Sequence, residues 1–495
     1  MHPLIKNKNL IIYLSFFIIL LGAFLRFYNL NFENFWFDEI VSFWVSDPKI
    51  TFVESYQRNN IGEGTPFLFN FLIKILHIIF GYTPNISRYL SCTFGLFSIV
   101  SMVFLIKTIK KNNSYLFIIF LVSFNIFLIK YSQEARVYSL VFFLCSMSLI
   151  FYFRTLKESV DQKYLSKNSF CFIFFQILSI LAHPFTFIIF GSIVLYAMIN
   201  FIFKKNSNRL LNTSIIVISI FAIFYLPYYL INTEPYPSWV SQPDVKFYTN
   251  FYFSKFFGSR VLGLAHLLIL FYLIFRFRKK LFSDLEPTVT LVFIAFFSYF
   301  IPIIFGYLHE PILAPRYIIF VLIPIITLIS YLTFELNEKK IKYFIIFIIP
   351  FLNIGNLWTE TTIQQFFKER PSYKAQYVLA LEHIDNSKHK NFIVSTSFLN
   401  DRKHFNEAIN NYLQQIIIKD KLNIDLIEIE TVVNNNYFWF VCLDQLNNTI
   451  CGTPKDIKFN FLEDTYSKPV NQLFKVVNEK KLLGAHLKLI KLSNN

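Results

Sequence analysis

The chain has 495 residues, of which 55% are hydrophobic and 20% aromatic, and its formal net charge is +16. Its mean hydropathy is +0.47, and its apolar residues fall in repeated runs of about 17 to 22, which soluble proteins do not contain. The composition therefore predicts a multi-pass membrane protein. The positive charge does not indicate a nucleic-acid partner, because the basic residues lie in short loops between the runs.

Eleven apolar runs predict membrane spans. In chain order they are 9–28, 86–106, 114–130, 137–154, 169–182, 185–203, 210–231, 258–275, 288–307, 316–335 and 342–358. The first run has no small-residue cleavage site and ends near Arg26, so we expect it to be a retained span rather than a signal peptide.

One further run, 67–80, decides the orientation of everything after it. It is short and is interrupted by Asn70, Lys74 and His77, which is typical of an interfacial or re-entrant segment. If it does not span, the strongly basic loops are all cytoplasmic, as the positive-inside rule requires. We therefore predict a cytoplasmic N-terminus, with the run 67–80 on the outer surface inside an extracytoplasmic loop, 29–85.

This topology gathers polar residues at the outer face. Asp38 and Glu39 follow the first span directly, in Phe35-Trp36-Phe37-Asp38-Glu39, and such carboxylates beside a bilayer either do chemistry, bind ions or simply begin a solvated loop. The other candidates predicted on the same side are Glu63, Glu134, Arg136, His183 and Arg316. Polar groups on one face and basic anchors on the other indicate an enzyme acting at the outer leaflet.

The chain changes character at residue 359. We predict a membrane domain, 1–358, and a small extracytoplasmic α/β domain, 359–495, with a supporting or acceptor-binding role. Helical spacing covers 373–384 and 405–418, and strand patterns cover 391–396, 425–430, 437–443 and 487–492. Cys442 and Cys451 could form a disulfide outside the cytoplasm, although such a pair can also stay reduced.

Several segments together resemble the GT-C membrane glycosyltransferases, a family that includes protein O-mannosyltransferases and the lipid A aminoarabinose transferase. They are Arg26…Leu30…Trp36-Phe37-Asp38-Glu39, Gly64-Thr65-Pro66, Ser87-Arg88-Tyr89-Leu90-Ser91, Tyr131 to Tyr138, Ala182-His183-Pro184 and Pro315-Arg316-Tyr317. Their order covers about 320 residues. Two departures are Gly64-Thr65, where many bacterial members have a His or a second Pro, and Arg136, where some relatives carry an acid.

The resemblance implies a GT-C fold of about eleven transmembrane helices in the inner (plasma) membrane and an inverting glycosyltransferase. Its donor would be a polyprenyl-phosphate sugar, and its acceptor an envelope glycolipid, glycan or protein. Asp38 would be the general base, while Glu39 would orient the acceptor or, with Asp38, hold a divalent metal cation. Arg136 and then Arg316 would contact the donor phosphate, with Glu63, His183 and Glu134 as further substrate-binding residues.

Other interpretations remain open at this point. Arg136 and Arg316 could anchor at lipid headgroups, the role we favour for Arg26 and Arg88, His183 could be structural, and Glu63 could serve loop folding alone. A metal site through Asp38, Glu39 and His183 has no strong ligand spacing. The competing functions are a transporter or flippase for lipid-linked glycans and a polymerase or ligase that moves whole oligosaccharides.

Overall fold

The structure is a computed structural model of the full chain. It describes residues 8–30, 34–110, 114–158, 165–204, 208–233, 240–283, 286–357, 376–396, 403–427, 437–443, 474–482 and 485–492. The chain forms two compact units. The first comprises Met1–Tyr28, Gly64–Phe69 and Arg88–Phe366, and the second comprises Asn29–Glu63, Asn70–Ser87 and Phe367–Asn495.

The first unit is helical. Its helices are α1 (Lys8–Phe27), α5 (Pro84–Ile109), α6 (Ser114–Ser123), α7 (Ile126–Ser132), α8 (Tyr138–Leu156), α9 (Lys167–Ala182), α10 (Phe187–Lys204), α11 (Arg209–Asn232), α12 (Val245–Asn250), α13 (Phe253–Phe256), α14 (Arg260–Arg276), α15 (Val289–Leu308), α16 (Leu322–Glu335) and α17 (Lys339–Leu357). The second unit contains α2 (Phe37–Val45), α3 (Phe52–Gly62), most of α4 (Leu68–Phe80), α18 (Tyr377–Asp385) and α19 (Lys403–Asp420), together with a sheet.

Every predicted span contains a helix, but the helices differ in length. Among the described residues, seven are long and apolar enough to cross a membrane, or eight if α6 and α7, which meet at a bend of 56°, form one broken span. Three further predicted spans contain shorter helices, α9, α14 and α16, of 16, 17 and 14 residues. The chain is a multi-pass membrane protein, while the number eleven and the orientation stay predictions.

The short run at 67–80 forms the 13-residue helix α4. At 1.5 Å per residue it is about 20 Å long, which is less than the ~30 Å of a bilayer core. Its polar residues are not exposed, since Asn70, Lys74 and His77 are all at most 2% exposed. The helix therefore buries its polar side chains, and its position on the outer surface stays a prediction.

The centre of the first unit is α16, whose residues Leu322–Thr333 are all buried. A helix that is apolar on every side is typical of such a central position. By contrast, α11 is only 11% buried across its apolar window, as expected for a helix that faces lipid.

Arg26 lies at the break between α6 and α7, not at a headgroup position. Its guanidinium is fully buried and donates from Nη1 to the carbonyls of Gly22 (2.9 Å) and Ser123 (3.1 Å), and from Nη2 to that of Val122 (3.0 Å). Helix ends leave carbonyls without helical partners, and in lipid these must be satisfied inside the protein. The anchoring role favoured for Arg26 is thus wrong, and Arg88, 3% exposed, is buried as well.

The second unit contains a five-stranded sheet of order β2-β1-β3-β5-β4. The strands are β1 (Asn391–Thr396), β2 (Asp425–Leu426), β3 (Tyr437–Leu443), β4 (Phe474–Leu482) and β5 (Ala485–Leu492). Strand β1 runs parallel to β2 and β3, whereas β5 pairs antiparallel with β3 and β4. The predicted combination of helices and strands in the tail is confirmed, while the domain bounds 359–495 stay a prediction.

Candidate functional site

Asp38 and Glu39 lie in the first turn of α2, in the second unit. The helix begins because Trp36 adopts an extended backbone as the N-cap residue, and carboxylates near a helix N-terminus are stabilised by its partial positive charge. Glu39 Oε2 accepts a hydrogen bond of 3.4 Å from the Trp36 backbone N–H. The acidic pair therefore stabilises the start of α2, in addition to any catalytic role that it has.

The two carboxylates differ in burial. Glu39 is fully buried, whereas Asp38 is half-buried. Since a catalytic carboxylate must reach a substrate hydroxyl, Asp38 is the better placed of the two to contact substrate.

Glu63 is connected to the same helix. It ends α3, is 3% exposed, and its Oε1 accepts a hydrogen bond of 2.6 Å from Ser42 Oγ of α2. The structure thus gives Glu63 a role in holding α2, which supports the loop-folding interpretation.

Lys74 and His77, both on α4, have a role that no sequence motif indicated. The Lys74 ammonium donates to the carbonyls of Asp47 and Ile50 (2.8 Å to the latter). His77 Nδ1 lies 3.0 Å from the Ser46 carbonyl oxygen and Nε2 lies 3.0 Å from Ser87 Oγ. Burial lowers the pKa of His77 to about 4, so the ring is neutral at physiological pH. These polar residues fix the segment that follows α2.

The first unit holds a basic group of residues around His183. This residue lies between α9 and a short 3-10 turn, Pro184–Thr186, and its Nδ1 accepts a hydrogen bond of 3.2 Å from the Phe185 backbone N–H. Its ring packs against Tyr317, with centroids 5.5 Å apart. Because Nδ1 is an acceptor, the proton of the neutral ring is on Nε2.

Both predicted arginines affect the pKa of His183. Burial and then the positive charges of Arg136 and Arg316 lower the pKa of His183 to about 3. Both guanidiniums therefore lie within electrostatic range of one neutral imidazole, although the two arginines are 180 residues apart in sequence. Arg136 is 6% exposed, which does not fit a headgroup anchor, and Arg316 is half-buried, with its guanidinium 5.6 Å from the Tyr317 ring centroid.

The loop that carries Glu134 and Arg136 is fixed by its neighbours. Gln133 Nε2 donates to the carbonyls of Leu25 (3.0 Å) and Tyr28 (3.2 Å), and Ser91 Oγ donates to the Arg136 carbonyl (3.2 Å). Glu134 is 5% exposed. A buried and tethered loop is a rigid support for a binding side chain.

An apolar groove of about 320 Å³ runs between α10 and α15. It is lined by Phe187, Ile188, Gly191, Ser192, Leu195, Phe297 and Ile301. Phe187 directly follows the 3-10 turn that begins after His183, so one end of the groove is adjacent in the chain to the basic group. No sequence pattern distinguished this groove from other apolar helix faces.

The predicted metal and disulfide have different outcomes. Among the described residues, no three His, Cys, Asp or Glu side chains come together as a metal site. A divalent cation stays a prediction. Cys442, buried in β3, is disulfide-bonded, whereas Cys451 lies outside the described residues.

No protein-family model and no curated protein matches the chain. Solved structures do. ArnT from Cupriavidus metallidurans in the apo state is similar with a TM-score of 0.60 at 12% identity, over 97% of both chains. The Archaeoglobus fulgidus oligosaccharyltransferase AglB, in complex with an inhibitory peptide and a dolichol-phosphate, has a TM-score of 0.54 at 11% identity, over 88% of this chain and 69% of its own. The chain thus has the GT-C fold of membrane glycosyltransferases, as the sequence motifs predicted.

Proposed function

We propose that the protein is a glycosyltransferase that moves a sugar from a polyprenyl-phosphate donor to a lipid, glycan or protein acceptor at the outer face of the cytoplasmic membrane. The observation that carries the proposal is a membrane unit with the GT-C fold, in which the positive charges of Arg136 and Arg316 both lower the pKa of the buried His183. Two guanidiniums whose positive charges act on the same neutral imidazole suit an anionic ligand.

The donor phosphate would bind Arg136 and Arg316. Guanidinium groups make bidentate, charge-assisted hydrogen bonds to phosphate oxygens, and these strengthen as negative charge develops on the leaving group. The Nε2–H of His183 adds a neutral donor that does not depend on pH in the physiological range, because its pKa is about 3. Glu134, two residues before Arg136, is proposed to contact the sugar.

The prenyl chain would lie in the groove between α10 and α15. Burying an apolar chain contributes about 0.8 kcal/mol per methylene, so a groove of this size can hold the first prenyl units firmly. Bound lipids in similar structures support this choice of ligand, since ArnT was solved with undecaprenyl phosphate and AglB with a dolichol-phosphate.

Asp38 would be the general base. The acceptor hydroxyl oxygen attacks the anomeric carbon while its proton passes to the Asp38 carboxylate, and the bond from that carbon to the phosphate oxygen breaks, so the electron pair leaves with the lipid phosphate. A single displacement inverts the anomeric carbon. General base catalysis contributes about 10²–10⁴-fold to such a step. Glu39 and Glu63 would support α2 from within, and a divalent cation, if used, would bind Asp38 together with water and substrate oxygens.

The competing functions make different predictions. A polymerase or ligase is favoured by one observation, the similarity to an oligosaccharyltransferase, and it would transfer a whole glycan rather than one sugar. A flippase would bind the same lipid but leave the glycosidic bond intact, so that Asp38 would be dispensable.

Native mass spectrometry of the protein purified in mild detergent tests the donor site. We expect the wild-type protein to retain a lipid with the mass of a prenyl phosphate or its sugar derivative, and Arg136→Gln to lose it. Arg209→Gln, at an exposed arginine of α11, is the matched control. Retention of ordinary phospholipids alone by the wild type, or equal prenyl phosphate in both variants, would contradict the assignment.

A further inference from the structure

We propose that the C-terminal domain positions the catalytic helix, through one face of α19 that clamps α2 at both ends. The clamp consists of His404, Phe405, Asn411 and Tyr412. The inference deepens the proposed function and rests on Asp38 being its base, but the clamp itself can be measured without any activity. In this proposal the C-terminal domain holds α2 in position, and Asn411 and Tyr412 are the positioning residues.

The first contact lies just before α2. The Phe35 backbone N–H donates to Tyr412 Oη at 3.0 Å, and the two rings stack in parallel, at 5° and 5.3 Å between centroids. Phe37 meets Phe405 edge to face at 4.8 Å. Asp38 is the next residue. The backbone just before it is therefore held both by a hydrogen bond and by ring contacts.

The second contact lies at the other end of α2. The Tyr82 hydroxyl donates to Asn411 Oδ1 at 2.7 Å and lies 3.0 Å from the Phe43 carbonyl oxygen, while the Tyr82 and Phe43 rings stack at 4.0 Å. Trp44 stacks on His404 at 6.4 Å. Asn411 thus reaches α2 through Tyr82, and His404 reaches it directly.

The spacing of the clamp residues is that of one helix face. Positions 404 and 405 lie seven residues before 411 and 412, which is about two helical turns, so the four side chains form two rows on neighbouring parts of one face. Helix α2 has nine residues and is about 14 Å long. A helix this short is not stable alone in water, and its geometry therefore depends on packing partners such as α19.

Hydrogen exchange on the full-length protein tests the clamp. We expect Tyr412→Phe, which keeps the ring but loses the hydroxyl, and Asn411→Ala to reduce protection of the peptide covering residues 35–45 by about fivefold each, the effect of one lost hydrogen bond. Asn410→Ala, the neighbouring half-buried asparagine, is the matched control. Equal protection in all three variants would overturn the clamp.

A second readout separates positioning from general stability. In Tyr412→Phe and Asn411→Ala we expect product formation to fall at least fivefold, while prenyl-phosphate binding and the melting temperature stay at the Asn410→Ala level. Loss of lipid binding in step with activity would overturn the positioning role. If exchange shows the clamp but Asp38→Asn leaves every glycan unchanged, the proposed function fails and the clamp stands.

Discussion

At the scale of single residues, the adjacent acids Asp38 and Glu39 have separate surroundings. Alternation of exposure within one helical turn is expected, because consecutive residues point about 100° apart. Glu39 is buried and accepts a hydrogen bond from the backbone N–H of Trp36, the N-cap residue of its helix, whereas Asp38 is half-buried. Sequence reasoning treated them as a pair, since nothing in the string Trp36-Phe37-Asp38-Glu39 tells which carboxylate faces inward.

Substitutions at Glu39 should therefore act on stability. Glu39→Gln keeps an oxygen that accepts from the Trp36 N–H, so we expect it to retain transferase activity within a few fold. Glu39→Ala loses the acceptor and should cost about 0.5–1.5 kcal/mol, the range for one lost hydrogen bond. Thermal unfolding in detergent, alongside product formation, measures both effects. A Glu39→Gln protein that is inactive yet as stable as the wild type would show that Glu39 contacts the reacting groups.

At the scale of elements, the broken span α6–α7 explains a buried charge. An isolated arginine in a membrane is costly, but Arg26 replaces the helical hydrogen bonds that the 56° break removes. Gly95 permits the approach, because a Cβ there would overlap the Ser132 side chain and crowd Arg26. The break also brings the end of α1 to Gln133, three residues before Arg136.

Removing the Arg26 guanidinium should destabilise this break. Arg26→Met has a similar length but leaves buried carbonyls without donors, and each such group costs about 1–3 kcal/mol. We expect a lower melting temperature and a smaller yield of monodisperse protein than for Arg209→Met, an exposed position. Size-exclusion profiles after heating give the comparison. Equal profiles for the two variants would mean that Arg26 does not hold the break.

The strands differed in how well their sequence patterns predicted them. The strands at 391–396 and 437–443 match the prediction, since continuous apolar residues such as Phe438 to Leu443 are buried. Strand β4 was missed because its sequence, Phe474–Leu482, is rich in lysine and its described side chains are mostly exposed. Periodicity detects a buried face, and β4 at the edge of the sheet presents little of one.

At the scale of the whole molecule, the fold class could be predicted from hydropathy and charge. The division of the chain into its two compact units could not. Apolar runs located the helices, and short motifs indicated the GT-C fold that the ArnT similarity supports. The sequence boundary at residue 358 separates the membrane part from the tail, yet 29–63 and 70–87 fold with the tail residues in one compact unit. The contact of Phe35 with Tyr412 spans 377 positions, and no local pattern encodes such a pair.

Mass spectrometry of envelope glycolipids and glycoproteins from cells that lack the protein tests the proposed sugar transfer by Asp38. The deletion strain would carry either the wild-type protein or Asp38→Asn at matched membrane levels. We expect one glycan species to be restored only by the wild type, and to differ by a single sugar from the species that accumulates otherwise. Full restoration of that glycan by Asp38→Asn would show that Asp38 is not the general base.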